Sequence, residues 1–299
     1  MSKTYVITGA TGHTGRPICE GLLALGHTVK AIARDTEKLS SLAEKGAEIH
    51  SGSLEDHTFL SSVFSCADAV YVMVPPNFTA EDMRVYQNNV VDAFVEAFEN
   101  TQVPYAVTLS SVGAHMKEGS GVVQGLFDME QKFNLLDHTN ILHLRPAFFM
   151  ENLLWQGSTI KQMGIMGSPL NGDTPMPIIA TQDIAAFALK KLIDLDFTGK
   201  TVQALLGPRE YTQNEIASIF GNAIGMPDLK YVQFPYEDAK HAMMQMGMSS
   251  SVAQGMVDLQ KSINDGPALA GHTRDTLGTT PTTIESFAAI FKQVFESMS

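Results

Sequence analysis

Short apolar runs alternate with longer stretches of helical period along the first half of the chain. Thr4-Tyr5-Val6-Ile7-Thr8 is β-branched and aromatic, as a buried strand should be, and Thr28-Val29-Lys30-Ala31-Ile32-Ala33, Ala47-Glu48-Ile49-His50, Tyr105-Ala106-Val107-Thr108-Leu109 and Ile141-Leu142-His143-Leu144-Arg145 also read as strands. Ala69-Val70-Tyr71-Val72-Met73-Val74 is apolar almost throughout, as a central parallel strand covered on both faces must be. Between the strands the apolar positions recur every three or four residues. This predicts helices over 14–26, 36–45, 56–64, 79–100 and 125–138, the fourth with Met83, Tyr86, Val90, Val91, Phe94, Val95 and Phe98 on one face. Strands and helices alternating at this spacing predict an α/β chain with a parallel sheet wound on both sides.

Beyond residue 147 the alternation lapses, and turn formers crowd 164–177. Thr181-Gln182-Asp183 reads as the cap of a helix over 183–193, and Thr201–Gly207 reads as a strand. Thr212-Gln213-Asn214-Glu215 matches the capping-box pattern of a further helix. Residues 240–263 read as one helix carrying Met243, Met244, Met246, Met248 and Met256, which suit an adaptable apolar pocket or an ordinary core.

Candidate chemistry gathers at strand ends. Gly9-Ala10-Thr11-Gly12-His13-Thr14-Gly15 stands between the first strand and the first helix. Glycines in that setting allow a tight turn, a close approach of backbone to a pyrophosphate, and close packing of helix on strand. The helix N-terminus adds free N–H groups and the positive end of its dipole. Arg34 ends the second strand, where an arginine meets the 2′-phosphate of NADP. Asp35 beside it would cap the next helix or reach the ribose. Ser53 and Leu54 follow the third strand and would reach the adenine, Val74 and Pro75 close the fourth, and Ser110-Ser111 close the fifth. Ligands of doubly wound sheets bind at these carboxyl ends. Nine histidines show no ligand spacing, so no metal site is expected.

Composition narrows the partners. Acidic residues outnumber basic ones 32 to 20, and a net charge of −12 disfavours nucleic acid and anionic membrane surfaces. With 44% hydrophobic and 17% charged residues a sizeable core is expected. Cys19 and Cys66 both lie in apolar neighbourhoods and read as buried, reduced thiols. Met1-Ser2-Lys3 runs into a strand without a leader pattern, and no apolar run is long enough to span a bilayer, so a cytoplasmic monomer or homodimer is expected.

The Gly-Ala-Thr-Gly-x-x-Gly loop, Arg34, the segment Leu144-Arg145-Pro146-Ala147-Phe148-Phe149-Met150-Glu151-Asn152 and the Asp183-Ile184-Ala185 helix start resemble the NmrA-like family of atypical short-chain dehydrogenases/reductases. Leu277-Gly278-Thr279-Thr280-Pro281-Thr282-Thr283 looks most like its NAD(P)H:quinone oxidoreductase branch. The resemblance implies a Rossmann domain over 1–150, a smaller, mostly C-terminal α+β substrate domain over 151–299, and a cleft between them. It also implies that residues 183–206 cross back to the nucleotide domain.

Relatives in the wider superfamily pass a proton through Tyr-x-x-x-Lys, the lysine lowering the tyrosine's pKa. Here Lys132 has Asp128 four residues before it, and the Tyr236–Lys240 pair lies far along the chain and reads as chance spacing. The expectation is therefore an NAD(P)H-dependent oxidoreductase for a small apolar, electron-poor acceptor such as a quinone, which can take its proton from water. NADP(H) is the preferred coenzyme and NAD(H) the alternative. Ser110 and Lys132 are the catalytic candidates, with Lys132 also able to hold the ribose. Ser111, Phe148, Phe149, Asn152 and Trp155 are the substrate-binding candidates. The missing tyrosine is also the feature that favours the alternative, a nucleotide-sensing regulator with a protein partner. It argues against a sugar-nucleotide epimerase, which needs that base.

Overall fold

In the computed structural model, which describes residues 2–35 and 37–298, the first half of the chain alternates strand and helix. It runs β1 (Thr4–Ile7), α1 (Gly15–Ala24), β2 (Thr28–Ala33), α2 (Ser40–Glu44), β3 (Glu48–Ser51), α3 (His57–Phe64), β4 (Ala69–Val72), α4 (Met83–Thr101), β5 (Tyr105–Leu109), α5 (Gln124–Phe133) and β6 (Asn140–Pro146). The second half adds β7 (Phe148–Phe149), α6 (Gln156–Met163), β8 (Met166–Ser168), β9 (Met176–Ile179), α7 (Thr181–Asp194), β10 (Lys200–Leu205), β11 (Glu210–Tyr211) and α8 (Gln213–Ile224). It closes with β12 (Tyr231–Gln233), α9 (Tyr236–Gln245), α10 (Ser250–Asn264) and α11 (Ile284–Ser297).

Seven strands pair in parallel in the order β10-β6-β5-β4-β1-β2-β3. Side chains alternate across each strand, so β1 feeds two cores. Tyr5 and Ile7 join Ile18 and Leu22 of α1 on one face, while Val6 joins Phe64 of α3 and Phe94 and Phe98 of α4 on the other. Helices therefore cover both faces, as in Rossmann-like doubly wound sheets. The chain returns to this sheet late. Ile184, Ala185, Ala188 and Leu192 of α7 enter the core of α1, and β10 pairs with β6 from Lys200–Ile141 to Leu205–Pro146.

A third core gathers Met150, Ile160, Met166, Ile178, Tyr211, Phe220, Ile284 and Phe291 beside a three-stranded sheet, β11-β9-β7, and a two-stranded one, β12-β8. Phe220 of α8 stacks on Phe291 of α11 with ring centroids 4.0 Å apart.

Several expected boundaries move, each for a local reason. The helix expected from 79 begins at Met83, because the Asp82 carboxylate accepts from Val85 N at 3.0 Å and caps it there. The helix expected over 125–138 ends at Phe133, with Leu136 and Thr139 carbonyls turned toward Lys200 at the start of β10. Residues 240–263 form two helices, since Gly247 turns the chain with φ +93° and the Ser249 side chain caps α10. Thr181 is the first residue of α7 and not its cap; the Glu151 carboxylate accepts from Thr181 N at 3.0 Å and from its hydroxyl at 2.6 Å. Cys19 is buried, but Cys66 is exposed, because α3 ends at Phe64 and the turn that follows faces solvent.

Candidate functional site

From β1 the chain winds outward to β2 and β3, then returns to the other side of β1 at β4. The carboxyl ends of β1 and β4 therefore flank a crevice, the place where such sheets bind ligands. Residues 9–15 cross it. Gly9 has φ +62°, and a Cβ at Gly15 would collide with the carbonyl oxygen of Gly9. Glycine is thus required at both positions. Thr8 at the exit of β1 accepts from Met73 N at 2.8 Å, which ties the two strand ends together. Thr14 is buried, and its hydroxyl accepts from the Tyr71 hydroxyl at 3.0 Å. Burial pushes the Tyr71 pKa up, so that hydroxyl stays a neutral donor.

Thr14 stands at the N-cap of α1 without capping it through its side chain. Among the described residues the amides of Thr11, His13 and Thr14 donate to no acceptor. A tight glycine loop with open amides at the positive end of a helix dipole fits a pyrophosphate.

The other strand ends reach the same edge. Arg34 is exposed directly after β2, and its carbonyl accepts from the Ser51 hydroxyl at 3.3 Å. Burial pushes the pKa of the half-buried Tyr86 hydroxyl up, with smaller and opposed effects of Arg34 and Glu55. Asp35 turns away to cap the following turn, accepting from Glu37 N at 3.0 Å and pairing with Lys38 at 3.6 Å. Ser53 is exposed and accepts from Glu55 N at 3.1 Å, while Leu54 and Val74 pack against the core of α3 and α4. Val74 and Pro75 follow β4 and are half-buried.

The two residues expected to do chemistry are engaged elsewhere. Ser110 is 2% exposed and donates to Glu130 Oε1 at 2.5 Å. Glu130, also 2% exposed, accepts from Arg145 Nε at 2.9 Å and Nη2 at 2.5 Å. Ser110 is thus locked into a buried ion pair against α5, and Ser111 beside it is half-buried. Lys132 stands in the last turn of α5 and pairs with Asp92 of α4. That turn leads to the amino end of β6, away from the glycine loop, so Lys132 does not reach the expected ribose. Asp128, in the tyrosine's place, accepts from Arg84 Nε at 2.6 Å, Arg84 Nη2 at 2.8 Å and Asn88 at 2.8 Å. The guanidinium holds its carboxyl below the ordinary range, so it stays an ionised acceptor. Tyr236 and Lys240 bond to Asn264 and Gln254 of α10, at 2.7 Å and 2.6 Å.

The Glu130–Arg145 ion pair was not anticipated by sequence reasoning. Its signal was an acid beside Met129 in an apolar helix stripe and an arginine inside a strand. Phe148 and Phe149 lie in β7, which pairs with β9; Phe149 packs toward the core of α1 and Phe148 toward the third core. Asn152 is exposed, and Trp155 is 69% exposed on the turn before α6. The start of α10 is fastened to the segment after β4: Ser249 N donates to Phe78 O at 2.9 Å and its hydroxyl to Ala80 O at 2.6 Å. Met246 and Met248 stand at that junction, Met246 exposed and Met248 half-buried. No helix among the described residues is long and apolar enough to cross a membrane.

The model of the NmrA-like family matches residues 1–288. The chain is similar to an NAD(P)H azoreductase of Xenophilus azovorans, at 28% identity over 256 residues and 85% of each chain. Its fold resembles that of the NADPH-dependent quinone oxidoreductase QOR2 of Escherichia coli, solved with NADPH, with TM-score 0.76, 20% identity, and coverage of 96% of this chain and 99% of that one. It also resembles NmrA, a negative transcriptional regulator solved with NADP, with TM-score 0.73, 15% identity, and coverage of 99% and 97%. With its glycine loop, doubly wound sheet and a family match along almost its entire length, the chain belongs to the NmrA-like family.

Proposed function

We propose that the protein is an NAD(P)H-dependent oxidoreductase that reduces a small, apolar, electron-poor acceptor such as a quinone. The observation that carries this reading is the open glycine loop at the sheet's switch point with Arg34 exposed at the end of β2. Gly9, Thr11, Gly12, His13, Thr14 and Gly15 would hold the pyrophosphate, largely through backbone amides. Arg34 would hold a 2′-phosphate, which favours NADP(H) over NAD(H). Ser53 and Leu54 would flank the adenine, and Val74 and Pro75 the middle of the crevice. When bound, the coenzyme supplies a hydride. The similarity to an NAD(P)H azoreductase supports a reductive role.

The acceptor class follows from what the chain withholds. Asp128 is an ionised acceptor and Ser110 is committed to Glu130, so neither offers a proton. A quinone that has taken hydride is a stabilised phenolate and draws its proton from water. A simple ketone would leave an alkoxide and would need a positioned acid. The protein's task is then to bring donor and acceptor together and exclude other geometries.

The same missing acid favours one other reading, a regulator that reports nucleotide occupancy to a protein partner, as the likeness to NmrA suggests. One titration separates them. NADPH and NADH are titrated into the wild type and Arg34→Ala, and p-benzoquinone is then added. The oxidoreductase reading expects NADPH to bind about tenfold more tightly than NADH. Arg34→Ala removes that difference, and quinone consumes the reduced coenzyme. Binding without turnover on quinones, azo dyes and aldehydes would leave the regulator.

A further inference from the structure

The segment that follows Arg34 is held against the start of α1 by one side chain. Arg16 lies in the first turn of α1, and its amide donates to Gly12 O of the glycine loop at 3.1 Å. Its Nη2 donates to Lys38 O and to Ser41 Oγ, each at 3.0 Å. Leu39 and Leu42 bury the same segment in the core of α1. Apolar burial sets how deep that segment sits, but it is non-directional. The two Arg16 bonds are directional, and they fix the segment after β2 to the helix that follows the glycine loop. Nη2 spends both its hydrogens this way. Nε and Nη1 keep three N–H groups with no acceptor among the described residues.

Charge makes the contact more than a tether. A phosphate monoester carries about 1.5 to 2 negative charges near pH 7 and offers three acceptor oxygens. One guanidinium leaves such a group undercompensated, the more so on a chain of net charge −12 whose turn after β2 already holds Asp35 and Glu37. The neighbouring lysines are engaged elsewhere. Lys38 pairs with Asp35 at 3.6 Å, Lys45 pairs with Glu20 at 2.8 Å, and Lys30 donates to the carbonyls of Val63 and Ser65. Arg16 and Arg34 have no carboxylate partner among the described residues, and Arg16 is half-buried where Arg34 is exposed.

We propose that Arg16 is a second coenzyme-specificity residue: it positions the turn after β2 and supplies, with Arg34, the charge that a 2′-phosphate requires. Arg34 comes from the end of a strand and Arg16 from the start of a helix, so the phosphate is met from two elements. NADH carries a ribose hydroxyl at that place and gains nothing from the second guanidinium. This role rests on the reading that Arg34 meets the 2′-phosphate, and separate variants test the two.

Adenosine 2′,5′-bisphosphate and 5′-AMP differ only in the 2′-phosphate. Both are titrated calorimetrically into the full chain, with NADPH and NADH alongside. Arg16→Met, which keeps much of the apolar stem, should weaken the bisphosphate and NADPH about tenfold while 5′-AMP and NADH stay within about twofold. Arg16→Lys keeps the charge without the guanidinium's fork of donors and should recover part of the loss. An equal loss for both members of each pair, in Arg16→Met and Arg16→Lys alike, would make Arg16 a structural tether and overturn the proposal. Unchanged NADPH affinity in Arg16→Met, where Arg34→Ala removes the gap between the coenzymes, would also overturn it and leave the Arg34 reading intact. A gap that Arg16→Met removes and Arg34→Ala does not would overturn the role given to Arg34 and leave Arg16 as the residue that selects the phosphate.

Discussion

At the scale of single residues, the most consequential contact is one that no motif announced. Glu130 accepts from Ser110 and twice from Arg145 while lying 2% exposed. Its neighbour in sequence, Lys132, drew attention because it fitted half of Tyr-x-x-x-Lys. Two residues along a helix turn the side chain by about 200°, so Glu130 faces β5 and β6 whereas Lys132 faces Asp92 on α4. The lysine was legible as a motif but pairs with Asp92, whereas the glutamate, which looked like an ordinary polar residue, holds Ser110 and Arg145. Breaking the pair from one side leaves a guanidinium only 15% exposed and the buried Ser110 hydroxyl without their shared partner. Glu130→Ala is therefore expected to lower stability by about 3–5 kcal/mol in urea unfolding. Adding Arg145→Met, which removes the stranded charge, should restore more than half of the loss. A loss below about 1 kcal/mol, or no recovery in the double variant, would show that the pair does not hold this part of the fold.

Elements were legible where their own side chains decide them. Thr212 and Glu215 form the capping box their spacing announces, with Glu215 N donating to Thr212 at 3.1 Å. Thr181 carries an equally good signature, but Glu151 from across the fold serves that helix start, and Asp183 is spent on Thr282 at 2.8 Å. A cap supplied from a distance leaves no local trace. β6 illustrates how an element depends on others through one buried group. His143 at its centre bonds Thr108 of β5 at 2.7 Å and the Asn134 amide oxygen at 3.1 Å. The amide oxygen accepts, so Nε2 carries the proton and Nδ1 accepts from the threonine hydroxyl.

Protonating His143 would turn Nδ1 into a donor, oblige the Thr108 hydroxyl to accept, and bury a charge, and burial pushes its pKa from 6.5 to about 4. The unfolded chain takes up that proton below pH 6.5 while the folded chain refuses it down to about pH 4. Stability from this group is thus complete above pH 6.5 and falls by up to about 3 kcal/mol as pH drops toward 4. Urea midpoints measured from pH 8 to 4 should decline more steeply in the wild type than in His143→Gln. Parallel curves would show that another group carries the acid sensitivity.

At the scale of the whole molecule, the alternation of strands and helices foretold the doubly wound sheet, but not which late segment completes it. β6 would be an edge strand if the chain stopped near residue 150, and nothing in its own sequence shows otherwise. Only the family resemblance sent 183–206 back to the sheet, because pairing between distant segments has no periodic signature. In the structure β10 covers the edge of β6, and α7 presses Ile184, Ala188 and Leu192 onto Ile18 and Leu22 of α1. The helix whose N-terminus faces the glycine loop is thus backed by residues from the far half of the chain. A fragment ending at residue 150 would expose that face of α1 and an unpaired strand edge at once, and both favour aggregation or a loose globule over a unique fold. Expressed alone, residues 1–150 should therefore unfold without a cooperative transition, show weak near-ultraviolet circular dichroism and fail to bind NADPH, whereas the full chain should unfold cooperatively, show a strong near-ultraviolet signal and bind NADPH. Cooperative unfolding of the fragment with NADPH affinity close to that of the full chain would mean that α7 and β10 merely decorate a unit complete without them. The coenzyme site would then belong to the first half of the chain alone.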